Sequence, residues 1–229
     1  MSDSEKRAVA YAAVDACITH SGMSIGLGTG TTAYWAIERI GERVAQGWKM
    51  VAVATSAQSQ ALCRERGIEL AELCEGPPIE VAIDGADEVA PDFTLIKGGG
   101  GALFRERAVA LAAQSFVVIV TAEKLVPQLG AFPLPVEVVP FSRAYVARAI
   151  AALGIEFGLR ERDGAPFVTD NGNNILDCRL GTIPDARGLD ERLRAIHGVV
   201  TTGLFYGLTD RVFVGSSDGV RELTRSDAG

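Results

Sequence analysis

The sequence predicts an α/β protein: a doubly wound, mostly parallel Rossmann-like sheet with a second, smaller α+β domain. Three observations predict it. Short β-branched runs alternate with longer helical patterns through the first half, the mark of βαβ units. Phe116-Val-Val-Ile-Val120 is apolar at every position, as a strand covered on both faces must be. At Phe132-Pro-Leu-Pro135 two prolines stop the alternation, and a different texture begins.

Each element can be justified in turn. Met23–Leu27 reads as a strand, Thr32–Ala45 as a helix, Met50–Ala54 as a strand, Ser56–Arg66 as a helix and Val81–Asp84 as a strand. Leu95–Lys97 reads as extended, Ala102–Gln114 as a helix and Phe116–Val120 as a strand. Beyond the prolines, Val136–Phe141 is extended and a helix starts near Ser142. In Asp170-Asn-Gly-Asn-Asn-Ile-Leu-Asp-Cys178 turn residues precede a strand. A charged helix near Leu189–Ala195, strands at Val199–Phe205 and Arg211–Gly215, and a short closing helix from Asp218 complete the chain. The expected division is a catalytic domain of residues 1–131 and 206–229, with a small domain of residues 132–205 acting as a lid or an oligomerisation surface.

Composition narrows the function. Lys and Arg number 22 against 29 Asp and Glu, a net charge of −7, so the excess of cations that neutralises nucleic-acid phosphates or anionic lipid is missing. Neither a nucleic acid nor a membrane is an expected partner, and any phosphate bound should be small. Acids and bases mix at the amino terminus, where an export signal would place a basic start and an apolar stretch, so no export is expected. Cys17, Cys63, Cys74 and Cys178 lack CxxC pairing and read as reduced, mostly buried thiols. His20 and His197 stand in no ligand-like spacing, so no metal site is expected, nor a histidine-based triad.

Gly26-Leu-Gly28-Thr-Gly30-Thr-Thr32 lies where the first strand turns into the first helix. Backbone N–H groups and the hydroxyls of Thr29, Thr31 and Thr32 would converge there on a phosphate; a tight turn with a threonine cap is the equal alternative. A dinucleotide fits poorly, because Thr31 replaces the third glycine of GxGxxG and the second strand ends in Ala54-Thr55-Ser56 with no acid for a ribose hydroxyl. No GK[ST] follows either, which removes the P-loop reading. Thr55-Ser56-Ala-Gln-Ser59 supplies more hydroxyls at the next helix start; a cap is the favoured reading, and lining of the same crevice at the strands' carboxyl ends is the alternative.

Asp84-Gly-Ala-Asp87-Glu88 sets up to three carboxylates at a strand end. Clustered carboxylates repel unless they meet a cation or sugar hydroxyls; an Asp-Gly turn is the plainer alternative. Lys97-Gly-Gly-Gly-Gly then runs abruptly into an apolar helix. Four glycines lose much backbone entropy on folding, so a cradle in which Lys97 and glycine N–H groups stabilise an oxyanion is the favoured reading over a flexible loop. On that helix Glu106 shares its face with Ala102, Val109, Ala110 and Ala113, while Arg105 and Arg107 point about 100° to either side. Burial would raise the Glu106 pKa, and the helix N-terminus and Lys97 would lower it, a balance suited to a general base. Lys124 follows Phe116–Val120 and reads as solvated, or as a second phosphate or hydroxyl contact.

The ordered set GLGTGTTA, TSAQSQ, DGADEV, KGGGGALFRE, FPLPVEVVP, TDNGNNILD and HGVVTTGLF resembles ribose-5-phosphate isomerase type A over almost the whole chain. The resemblance implies a cofactor-free aldose–ketose isomerase interconverting ribose 5-phosphate and ribulose 5-phosphate in the non-oxidative pentose phosphate pathway. It also implies a cytoplasmic homo-oligomer, a dimer or a tetramer. Glu106 is then the proton-transferring base. The groups touching the sugar phosphate are Thr29, Gly30, Thr31 and Thr32, then Asp84, Gly85, Ala86 and Asp87, then Lys97, Gly98, Gly99 and Gly100, and Lys124. Relatives often carry Asp and Ser before the lysine, where this chain has Thr121-Ala-Glu-Lys124.

The expected mechanism has Asp84 and Asp87 opening the furanose ring, Glu106 moving a proton between C2 and C1, and Lys97 with the glycine N–H groups holding the enediolate oxygen. Two rival classes are a non-catalytic sugar-phosphate sensor, which needs no Glu106 on an apolar face, and a coenzyme A transferase-like enzyme using a glutamate as acyl nucleophile.

Overall fold

Apolar side chains on both faces of the early strands force those strands between layers of helix. In chain order the elements are α1 (Asp3–Cys17), β1 (Ser24–Leu27), α2 (Thr31–Ala45), β2 (Val51–Ala54), α3 (Ala57–Glu65), β3 (Glu69–Leu70), β4 (Ile79–Asp84), β5 (Glu88–Val89), β6 (Leu95–Ile96), α4 (Leu103–Ala112), β7 (Ala113–Thr121) and β8 (Leu134–Val138). There follow α5 (Arg143–Ala152), β9 (Glu156–Leu159), β10 (Glu161–Arg162), β11 (Ala165–Pro166), β12 (Asn174–Arg179), α6 (Ala186–Arg194), β13 (Val199–Thr202), β14 (Leu204–Phe205), β15 (Arg211–Ser216) and β16 (Gly219–Thr224). The computed structural model describes residues 2–224; residues 1 and 225–229, assigned above to the first domain, lie outside the described residues. Two units emerge: Met1–Ala86 with Arg105–Leu125 and Leu208–Gly229, and Asp87–Phe104 with Val126–Gly207.

In the first unit seven strands form a sheet in the order β16-β15-β7-β4-β1-β2-β3, parallel throughout except for the β15–β16 pair. Ile25, Leu27, Val81, Ile83, Val117 and Ile119 from the strands share one core with Val9, Ala13 and Val14 of α1 and with Ile37 and Ile40 of α2. Each such Val, Leu or Ile side chain removed from water contributes about 1.5–3 kcal/mol before conformational entropy is set against it. Ser2 starts α1 as a capping box, its hydroxyl accepting the Glu5 N–H and its own N–H donating to the Glu5 carboxylate. At Gly26 a methyl group would sit 2.4 Å from Cγ1 of Val109, so the bare α-carbon is what lets α4 settle onto β1. Because β1, β2, β4 and β7 run parallel, their carboxyl ends, Leu27, Ala54, Asp84 and Thr121, gather at one edge of the sheet.

The second unit is built on an antiparallel sheet in the order β13-β8-β12-β9, a three-stranded sheet β14-β6-β5 and the β10–β11 hairpin. Alternation along β8 sends Leu134, Val136 and Val138 into a core with Val146 and Ile150 of α5, Leu176 of β12 and Leu189 and Leu193 of α6. Borders at residues 132 and 206 leave Asp87–Phe104 with the first domain; here β5 pairs with β6 and β6 with β14, and that segment falls in the second unit.

Three expected elements differ. Asp218–Leu223 is not a helix: Ser216 pairs with Gly219 around a two-residue turn, Gly219 has φ +117°, and β16 runs back along β15. The hairpin turn and its ladder override the helix-forming Arg-Glu-Leu. The helix expected over Ala102–Gln114 stops at Ala112, because Ala113 already pairs with Ile79 and β7 claims the residues from there. Val199–Phe205 is two strands in two sheets, broken at Gly203, whose N–H donates to Pro135 O and whose carbonyl accepts the Lys97 N–H.

Candidate active site

In the first unit the end of β1 is stitched to the end of β4. The Gly28 N–H donates to Ile83 O at 3.0 Å, and the Thr29 N–H donates to Oδ1 of Asp84 at 3.2 Å. Oδ1 also accepts the Gly85 N–H at 2.7 Å, and Asp84 is only 3% exposed. A carboxylate at the end of a buried strand is thus held by backbone donors of its own turn and of the neighbouring one.

Thr29 also opens a run of hydroxyls: its Oγ1 lies 2.8 Å from Oγ1 of Thr55 and 3.3 Å from Oγ of Ser59, which donates to Gly28 O at 2.7 Å. Ser56 caps α3, as the sequence predicts, by accepting the Ser59 N–H. By contrast α2 has glycine at its cap. Gly30 has φ +112° and supplies no side-chain cap, so the first-turn N–H groups beside exposed Thr31 and half-buried Thr32 face outward from a helix N-terminus, an arrangement that favours an anion. Lys124 sits half-buried in a 3-10 turn just after β7, at the same sheet edge.

Glu106 lies in the first turn of α4, one turn before Val109, and is 3% exposed, while Arg105 and Arg107 are half-buried. The face predicted from helical spacing is therefore the inward one.

Within the second unit, Asp87 is anchored through its N–H to Ile96 O at 2.8 Å, and its Oδ2 accepts the Gly99 N–H at 2.8 Å. That donor was expected in the oxyanion cradle; here it fixes Asp87 instead. Gly98–Gly101 closes as a turn, the Gly101 N–H donating to Gly98 O at 3.0 Å. Lys97 is 2% exposed, and its Nζ lies 5.6 Å from the centre of the Phe205 ring. Glu88, the third carboxylate of the cluster, turns elsewhere: its two oxygens accept the N–H groups of Gly130 and Phe132 at 2.7 and 2.6 Å. That is a structural anchor for the segment leading into β8. Gly85, Ala86 and Gly100 expose backbone in the turns between these side chains, all half-buried or exposed.

The segment 55–59, read as a cap with lining of the same crevice as the alternative, brings the hydroxyls of Thr55 and Ser59 to Thr29. Sequence reasoning missed one contributor. Arg160, paired with Asp177, donates to the carbonyls of Gly98 and Gly99 across some sixty positions of chain, with no motif to mark it. Among the described residues no group of three or more His, Cys, Asp or Glu side chains is placed to hold a metal ion.

Residues 51–219 match the family model of ribose 5-phosphate isomerase A (phosphoriboisomerase A). The chain belongs to this family. A ribose-5-phosphate isomerase A of Brucella suis biovar 1 is 43% identical over 232 residues, covering 99% of this chain and 100% of the relative. One from Roseiflexus castenholzii is 46% identical over 97% of this chain and 96% of its own. Among solved structures, ribose 5-phosphate isomerase A of Methanocaldococcus jannaschii superposes with a TM-score of 0.91 at 39% identity, covering 97% of this chain and 99% of that one. A D-ribose-5-phosphate isomerase in complex with phospho-erythronic acid superposes with a TM-score of 0.93 at 36% identity, covering 98% of this chain and 100% of that one. The α/β fold with its mostly parallel sheet and accessory antiparallel sheets is thus the fold of ribose-5-phosphate isomerases.

Proposed function

We propose that this chain interconverts D-ribose 5-phosphate and D-ribulose 5-phosphate through an enediolate, with Glu106 as the base. The observation that carries the reading is the burial of the Glu106 carboxylate on the inward face of α4, at a helix start and on a family scaffold whose relatives are named for this reaction. A general base must be kept from bulk water yet within reach of the acidic C–H bond.

The steps follow from the groups described. Asp84, with Asp87, moves a proton between the ring oxygen and the anomeric hydroxyl, which opens the furanose to the aldehyde. Glu106 takes the proton from C2, negative charge develops on the aldehyde oxygen, and Lys97 stabilises it. The O2 proton transfers to O1, and Glu106 returns its proton to C1, giving the ketose with no change in overall composition. A buried ammonium is worth more to that oxyanion than a solvated one, because little water competes for it. The phosphate is taken by the N-terminus of α2 with Thr29, Gly30, Thr31 and Thr32, and by Lys124; its binding energy fixes the reacting carbons. Gly85, Ala86, Gly98, Gly99 and Gly100 line the path of the sugar with backbone.

The phospho-erythronic acid bound by one relative supports the enediolate, since a planar carboxylate on a short phosphorylated polyol imitates that intermediate in shape and charge. No helix among the described residues is long and apolar enough to cross a membrane. A place in the non-oxidative pentose phosphate pathway of the cytoplasm follows from the proposed substrate. The exposed rings of Phe141 and Tyr145 support a homo-oligomer, a dimer in the first instance, with residues 132–205 as assembly surface or lid.

The test is turnover of ribose 5-phosphate by protein dialysed against a chelator and free of nucleotide cofactors. Formation of ribulose 5-phosphate at an undiminished rate supports the reading; absence of turnover, or acyl transfer from a thioester instead, overturns it.

A further inference from the structure

One peptide group, that between Gly98 and Gly99, is gripped at both ends by charged side chains. Its carbonyl accepts Nη1 of Arg160 at 2.8 Å, and its N–H donates to Oδ2 of Asp87 at 2.8 Å. A trans peptide points these two groups in opposite directions, so a guanidinium on one side and a carboxylate on the other lie along its dipole. Nη1 also reaches Gly99 O at 3.1 Å. The rest of the guanidinium is committed to Asp177, Nε to Oδ2 at 2.9 Å and Nη2 to Oδ1 at 2.5 Å.

Asp177 stands on β12 opposite Gly158 of β9, and Arg160 follows directly on the end of β9 at Leu159, so the clamp is set by the register of that strand pair. The backbone of Arg160 is held too, its N–H by Ile175 O at 2.9 Å and its carbonyl by the Phe167 N–H at 2.8 Å. Arg160 is thus a planar fork fixed by a rigid partner on one edge and presenting the other edge to two glycine carbonyls. Glycine backbone has little conformational preference of its own, so the orientation of the Gly98–Gly99 peptide depends on what it is bonded to. Lysine, a single point of charge, cannot meet Asp177 in two places and two carbonyls at once.

We infer that Arg160 and Asp177 are positioning residues for Asp87: through the Gly98–Gly99 peptide they orient the N–H that fixes the Asp87 carboxylate for ring opening. The inference rests on the isomerase reading and deepens it. Hydrogen bonds in series polarise one another, so the guanidinium both aims that N–H and strengthens it as a donor.

The experiment measures kcat and KM for ribose 5-phosphate in wild type, Arg160→Ala, Arg160→Lys, Asp177→Asn, Asp87→Asn and the Arg160→Ala/Asp87→Asn double variant. Misplacement of a catalytic group by about 1 Å costs on the order of 100-fold, so Arg160→Ala is expected to lose roughly 10- to 100-fold in kcat with KM changed less than about threefold. Arg160→Lys should lose nearly as much, and free guanidinium ion should restore activity to Arg160→Ala alone. In the Asp87→Asn background, removal of Arg160 should cost less than about threefold, because the group it positions is already disabled. Retention of more than half the wild-type kcat by Arg160→Ala overturns the inference, as does an equal loss in both backgrounds, the outcome of general destabilisation. If wild type turns over ribose 5-phosphate and Asp87→Asn does not, while the Arg160 variants stay active, this inference alone fails; if wild type does not turn over, the isomerase reading fails and takes it along.

Discussion

The Thr29 N–H donates to Oδ1 of Asp84, and Gly28, one residue earlier, lies so close to that carboxylate that a methyl group on it would sit 1.9 Å from the same oxygen. The turn after β1 and the acid at the end of β4 are therefore shaped against each other, and neither can change alone. That contact ties the loop proposed to take the phosphate to the acid proposed to open the ring, inside one unit.

Gly28→Ala should consequently behave as an active-site variant. The added methyl pushes the Asp84 carboxylate off its two N–H donors, and kcat for ribose 5-phosphate should fall by about 100-fold or more. Steady-state kinetics with ribose 5-phosphate and with the ring-opened reaction in reverse, from ribulose 5-phosphate, check it. A kcat near that of wild type would show that Asp84 has freedom the packing denies it.

Thiol labelling reads burial directly. Burial pushes the Cys63 thiol up to about 11 and the Cys178 thiol up to about 12, and it raises Cys17 as well, whereas Cys74 is exposed. Thiolate is the reactive species, so near pH 8 the native protein should consume one equivalent of a thiol reagent rapidly and the denatured protein four. Rapid reaction of two or more thiols in the native state would contradict the packing of α1, α3 or β12.

Acid stability should report the pair of helices α1 and α2. Burial tends to raise the Asp15 carboxyl, but hydrogen bonds from Arg39 and Arg43 outweigh it and hold the pKa below the usual carboxylate range. A folded-state pKa depressed below the unfolded value, about 3.9, gives stability that is present above it and lost as pH falls through the folded value. Asp15→Asn should therefore melt lower than wild type near neutral pH, and the gap should close as the pH falls below the usual carboxylate range. Asp15 is partly exposed, so the effect is modest and shrinks with salt. A gap that is independent of pH would assign the loss to something other than the ion pair.

Much of this architecture was legible because local and long-range preferences agree. Phe116–Val120 can only be a buried strand, and Gly26-Leu-Gly28 can only be followed closely by a helix start. The helical spacing of Glu106 with Val109 and Ala110 is enough to give its inward face. Agreement fails at Asp218–Leu223, where helix-forming residues follow an Asp-Gly turn that pairs with β15 instead. It fails again at Glu88, which shares the acidic run of Asp84 and Asp87 but spends its charge on Gly130 and Phe132. Arg160 and Asp177 were invisible for a different reason. Asp177 is an ordinary polar residue of β12 and Arg160 one just past the end of β9, and only the fold brings the guanidinium to Gly98 and Gly99.

The most direct measurement is hydrogen exchange with solvent during turnover. In heavy water the wild-type protein should place deuterium at C1 of the ribulose 5-phosphate it forms and at C2 of ribose 5-phosphate recovered from the reverse reaction. Glu106→Gln should bind a four-carbon phosphorylated aldonic acid, yet isomerise and exchange about 10²- to 10⁴-fold more slowly, the usual contribution of a positioned base. A Glu106→Gln protein that exchanges within about threefold of wild type would place the base elsewhere.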